Sequence, residues 1–186
     1  MNADEDGVIV DACTLKNFRV VRRLDILETH LGQRALWTQA IQREAARLQV
    51  PAIDWLGTAI SVGDDVTTLL EVDKIRRGLG ATRADSATLH LGEAEAIYYL
   101  ERQHPAWTFI SDDRPAVDFA IRRGLNAIDT PAVLADCYAR DQIGCPDAFE
   151  LIRQMARAER GVRVPPSHWF VCPPKSTRAR RRRGTN

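Results

Sequence analysis

Gly7-Val8-Ile9-Val10-Asp11 is the stretch whose reading decides the fold. A short β-branched run closed by a polar residue reads as a strand buried on both faces, as in parallel sheets, with its last residue at the carboxyl edge. Open α/β sheets bind their ligands at that edge. Asp11 therefore stands where chemistry is expected. Further acids follow at intervals that suit separate βα units: Glu44, the pair Glu93 and Glu95, and the pair Asp112 and Asp113. If they converge on Asp11, they make a metal site.

Outward from that strand, Leu15, Phe18, Val21 and Leu24 recur every three residues, which predicts a short helix over 12–24 with Arg19, Arg22 and Arg23 outward. Asp25 to Leu31 is ambiguous, and Gly32 ends it. Ala35 to Thr38 reads as a second strand. Gln39 to Leu48 reads as a helix with Ile41, Ala45 and Leu48 on one face and Glu44 bordering that stripe. Pro51 to Val62 is weakly strand-like. Asp64 or Asp65 can cap a helix from Val66 to about Arg77 whose apolar face is Leu69, Leu70, Val72 and Ile75.

Beyond a polar loop at 78–86, the helix Glu93 to Arg102 places Glu93, Ala96, Ile97 and Leu100 on one face. An unpaired carboxylate on a buried stripe is costly, so Glu93 needs a partner, and a cation is the simplest. Glu95 falls on the side of Tyr98, Tyr99 and Arg102 and reads as a surface residue. Trp107 to Ile110 is a strand by β-propensity, followed at once by Ser111-Asp112-Asp113, which repeats the logic of Asp11. A helix over 114–123 closed by Gly124, a strand over 126–128, a helix opened by Asp129-Thr130-Pro131 and a helix over 147–160 complete the pattern. Strands alternating with helices predict an α/β fold with a mainly parallel central sheet and right-handed crossovers.

At 186 residues, 45% hydrophobic and 27% charged, the chain suits one core and one domain, taken as residues 1–171. Pro173-Pro174 and the arginine run cannot build a core, so 172–186 is expected to be a disordered basic tail. Lys175, Arg178 and Arg180 to Arg183 carry six charges, so against a net +1 the remainder of the chain stands at −5. No apolar run approaches the roughly 18 residues of a membrane span, and Asn2 to Asp6 lacks the order of a secretory signal. A cytoplasmic protein without membrane contact is expected. Cys13, Cys137, Cys145 and Cys172 show neither a Cys-x-x-Cys pair nor zinc-ligand spacing, and Cys13 reads as a small buried hydrophobe. His30, His90, His104 and His168 are scattered and receive no role.

Singly, each acid has a plain alternative. Asp11, Asp112 and Asp113 all precede helices and could serve as caps, and Glu44 could be a surface residue. Together, uncompensated carboxylates repel and raise one another's pKa, so three or four acids at one sheet edge are either far apart in space or share a metal. Oxygen ligands select hard ions, Mg²⁺ or Mn²⁺, which can activate water against a phosphodiester.

The motifs and their order resemble the PIN-domain family, the fold of VapC-type toxin ribonucleases. Val8 to Leu15 is similar to the family's opening strand with its first acid. Gly92-Glu93-Ala94-Glu95-Ala96-Ile97 resembles the Gly-Glu-x-Glu-Ala-Ile motif of one subgroup, and Phe109 to Arg114 resembles the later strand with a hydroxyl and two acids. The resemblance runs on through Asp129 to Leu134 and reaches Val164.

It implies a three-layer α/β/α sandwich and a Mg²⁺- or Mn²⁺-dependent endoribonuclease. It also implies RNA as substrate, with a small antitoxin protein and a second copy of the chain as partners. Asp11, Glu44, Glu93 and Asp113 would be the catalytic acids. Metal would be held by Asp11, Glu93 and the Asp112/Asp113 pair, with Asp113 favoured slightly by hydroxyl-x-Asp spacing. Two positions depart from the family: Cys13 stands where a serine is common, and Lys16 where the residue is usually apolar. The segment 78–90 is longer than the usual connection. A phosphotransfer protein fits poorly, since Asp11-Ala12-Cys13 lacks a second Asp two residues on. A PIN-like module that binds nucleic acid or protein without cutting is the main alternative.

Overall fold

The computed structural model describes residues 7–51, 53–158 and 161–175. Four parallel strands form one sheet: β1 (Val8–Val10), β2 (Ala35–Leu36), β3 (Thr108–Ile110) and β4 (Asn126–Ile128), in the order β2-β1-β3-β4. All three β1 residues are buried, as a central strand covered on both faces requires. The helices are α1 (Ala12–Val20), α2 (Leu24–Leu31), α3 (Gln39–Arg47), α4 (Val66–Gly78), α5 (Leu91–Gln103), α6 (Arg114–Arg122), α7 (Thr130–Ala139) and α8 (Cys145–Arg157). The result is the expected α/β/α architecture.

Register determines what gathers at the carboxyl edge. Val10 pairs with Ile110, and Ile110 with Ile128, so the next residues, Asp11, Ser111 and Asp129, emerge side by side. Backbone bonds carry the ladder one step further: Asp11 N–H donates to Ile110 O at 2.9 Å and Ser111 N–H to Ile128 O at 3.1 Å. Gly7 opens β1 because the Trp107 indole occupies the space a side chain there would need.

Several expectations are corrected. The ambiguous segment before Gly32 is α2, ended by the left-handed φ of +54° at that glycine. The second strand is only Ala35–Leu36, and Thr38 instead caps α3, accepting from Ile41 N–H, while bridging in parallel to Ile60. The rest of the weakly strand-like segment holds a 3-10 turn at Asp54–Leu56. On α4 the buried stripe is Thr68, Val72 and Ile75, continuing to Leu79. Leu69 and Leu70 are exposed, because the face that meets α5 carries the Thr68 hydroxyl, 3.2 Å from Tyr98 OH. Packing continues through Val171 and Cys172, both buried, and Lys175 lies over the Tyr138 ring and pairs with Asp141. The arginine run lies outside the described residues.

Candidate metal centre

Asp11 follows β1 directly and caps α1, so strand and helix geometry fix it together. It is 2% exposed. Oδ1 accepts from Ala12 N–H at 2.7 Å, and Oδ2 from the Ser111 hydroxyl at 2.8 Å and the Cys13 thiol at 2.7 Å. Burial, with the charge of Glu93, pushes the carboxyl up to about 7 against the pull of those bonds. Ser111 also accepts from Asp113 N–H at 3.1 Å, which ties the two acid-bearing strand ends together.

Glu93 lies in the first turn of α5 and is 8% exposed. Burial, then the charges of Glu44 and Asp113, push it up to about 7. Asp113 caps α6 through Oδ1, which accepts from Ala116 N–H at 2.9 Å, while Oδ2 turns toward His90, 4.0 Å away. His90 Nδ1 lies 3.5 Å from Glu93 Oε1. One ligand atom from each of His90, Glu93 and Asp113 falls within 4.8 Å of the others. Glu44, half-buried on α3, is raised by burial and then by the charge of Asp11, with Asp113 adding to it and Arg47 and His90 opposing. Gly92 lets α5 start close to α3: a Cβ there would sit 3.1 Å from Ile41 and 3.3 Å from Glu44 Oε2.

The structure thus brings ligand atoms of Glu93 and Asp113 to within 4.8 Å of each other; Asp11 and Glu44 lie outside that group, near enough that the charge of Glu93 acts on Asp11 and that of Glu44 on Glu93. Asp112 is not in that group. Its Oδ1 accepts from Thr130 N–H at 2.9 Å, and its Oδ2 from the Thr130 hydroxyl at 2.5 Å and Asn17 Nδ2 at 2.6 Å. Those bonds join β3 to α1 and α7.

Three side chains differ from expectation. Glu95 is buried, not on the surface: Oε2 accepts from Ala40 N–H at 3.1 Å and Oε1 lies 3.8 Å from Arg43, so it caps α3 from across the interface. Cys13 is no mere apolar filler. Besides donating to Asp11 it accepts from Asp112 N–H at 3.3 Å, and burial beside Asp11 raises its thiol far enough to keep it protonated as a donor. His90, given no role from sequence, sits in the centre of the group. Its place three residues before Glu93, at the N-cap of the same helix, was the available signal.

The model of the family DUF3368, described as a PIN domain, matches residues 7–169. The chain belongs to the PIN-domain family. No curated protein and no solved structure gives a significant match. PIN domains are generally nucleases that use divalent metals, and in this PIN domain the donor set fits such an ion. Glu93 is buried with, among the described residues, only its own backbone N–H and His90 to meet it, and burial, with repulsion from neighbouring carboxylates, holds Asp11 and Glu93 far above their ordinary range. No helix among the described residues is long and apolar enough to cross a membrane.

Proposed function

We propose that this PIN domain is a Mg²⁺- or Mn²⁺-dependent endoribonuclease. The observation that carries the reading is the group of buried Glu93 with half-buried His90 and Asp113 at the carboxyl edge, with Asp11 and Glu44 around it. Glu93 and Oδ2 of Asp113 would hold the ion with Asp11, and Glu44 would complete the acidic surround. A bound divalent ion supplies activation of the attacking water and neutralises charge at the phosphate. Ser111 and Cys13 aim Asp11 Oδ2 through their bonds to it. Asp112 holds the strand ends in place and is a positioning residue.

A cavity of about 370 Å³ opens at Ser111 and Asp112, lined also by Arg114, Asp118, Asp129 and Arg163, and contains none of the proposed ligands. Its two arginines are exposed and can reach phosphates of a bound strand. The test of the reading is cleavage of RNA by the purified chain that requires Mg²⁺ or Mn²⁺ and stops on chelation.

The basic tail is proposed to add affinity, since the remainder of the chain is acidic and would repel RNA. Truncation after Lys175 should leave the melting temperature unchanged and flatten the salt dependence of RNA binding, the log–log slope shrinking by about 0.7 for each phosphate that the tail neutralises. An unaltered slope would reject a role for the tail.

An antitoxin protein is the partner proposed with this activity. Expression of the chain alone should slow growth of a bacterial host, and Asp11→Asn should restore it. Normal growth with verified soluble parent protein would remove the toxin role and leave the nuclease reading standing.

A further inference from the structure

We propose that His90 Nδ1 is itself a ligand, so that the centre favours a first-row transition ion such as Mn²⁺ over Mg²⁺. This rests on the metal-dependent reading above and assigns it a nitrogen donor that an all-carboxylate centre lacks. Nδ1 stands 3.5 Å from Glu93 Oε1 and 4.0 Å from Asp113 Oδ2. Ligands about 2.1 Å from a common ion are separated by roughly 3.0–3.4 Å, so shifts of under about 1 Å bring the imidazole to ligand spacing from both carboxylates. Glu93 is more than nine-tenths buried and, among the described residues, has no side-chain partner other than His90.

The backbone is arranged to deliver this ring. His90 occupies the N-cap position of α5 with φ +54° and ψ 21°, a left-handed conformation uncommon for a residue with a side chain, and makes no capping bond. Ser, Asp or Asn would serve a cap better. The long connection that precedes it is held by Arg76, whose guanidinium donates to Leu89 O and Ser86 O at 2.9 Å each. Asp85 closes a turn within it by accepting from Thr82 N–H and hydroxyl. The extra length in 78–90 thus forms an ordered excursion that ends on the imidazole.

Imidazole suits transition ions, whereas Mg²⁺ keeps oxygen ligands and most of its waters. A nitrogen in the set therefore separates ions that carboxylates alone would treat alike.

The test uses the full chain titrated calorimetrically with MnCl₂ and MgCl₂, with pulsed electron paramagnetic resonance of the Mn²⁺ complex to detect bound ¹⁴N. His90→Asn removes the imidazole while tolerating the left-handed backbone, and His90→Ala checks that the amide does not substitute. The parent should bind Mn²⁺ more tightly than Mg²⁺ and show nitrogen coupling. Both variants should weaken Mn²⁺ binding by about tenfold or more, change Mg²⁺ binding less than about twofold, and lose the coupling. Tight Mn²⁺ binding by the parent without nitrogen coupling, or equal Mn²⁺ affinity in the variants, overturns this inference and leaves the metal-dependent reading intact. A parent that binds neither ion overturns both.

Discussion

Asp11→Asn should lower RNA turnover by at least about 10²-fold, since even outer partners of metal ligands cost about 10–100-fold when removed. The substitution keeps the shape of the side chain and an oxygen for Ala12 N–H, so the cap on α1 survives. The Ser111 hydroxyl and Cys13 thiol, which donate to Oδ2 in the parent, can turn and accept from the new amide. What disappears is a negative charge that burial and Glu93 already oppose. Stability should therefore hold or rise while activity falls, a combination that simple misfolding cannot produce. Glu95→Gln is unsuited as a control because Glu95 caps α3 and faces Arg43. Glu28→Gln, on the exposed side of α2, should retain parental turnover. Parental cleavage rates in Asp11→Asn would refute the assignment of that residue.

The second large effect is on stability against pH. Asp11 and Glu93 stand at about 7 in the folded chain, whereas unfolded carboxyls release their protons near about pH 4. Between those values the folded state holds more protons than the unfolded one. As far as these two groups are concerned, metal-free stability should be greatest below about pH 4 and be lost as pH rises through about 7. At about 1.4 kcal/mol per pH unit for one group, the effect is on the order of a few kcal/mol. A divalent ion should reverse it, because it binds the ionised carboxylates. At roughly a hundredfold excess over Kd the gain is about 2.7 kcal/mol, roughly 5–10 °C in Tm for a domain of this size. The gain should be larger near pH 8 than near pH 5. A calorimetric scan showing equal metal-induced shifts at both pH values would contradict this coupling.

The sheet edge was legible in the sequence because strand and cap signals agree there. Val8 to Val10 are buried as a central strand requires, and Asp65 and Asp129 cap their helices as their positions before α4 and α7 suggest. Reading an outer face on α5 fails for a physical reason. Gly92 to Ile97 are all buried, since α3 and α4 both pack against that helix and leave its first turns no surface. The partner of Glu95, Ala40 N–H, lies 55 residues away, and nothing local to Glu95 announces it. Leu69 and Leu70 read as core because hydropathy ranks leucine above threonine, yet Thr68 is satisfied by Asp65 and Tyr98 and so can be buried. The hydroxyl-x-Asp spacing already leans toward Asp113. Only the bonds from Thr130 and Asn17 show why Asp112 is occupied elsewhere. Finding His90 needs both the length of the preceding connection and its ordered shape, of which the sequence shows only the first.

The most direct test of the metal-dependent nuclease is cleavage of a labelled RNA by the purified full chain with Mn²⁺, after EDTA, and after Mn²⁺ is restored. Internal cuts are expected with Mn²⁺, none after chelation, and full recovery on restoration. RNA left intact with both Mn²⁺ and Mg²⁺, or cut equally well in excess EDTA, would contradict the assignment, and intact RNA that is nonetheless bound would favour the non-cutting module.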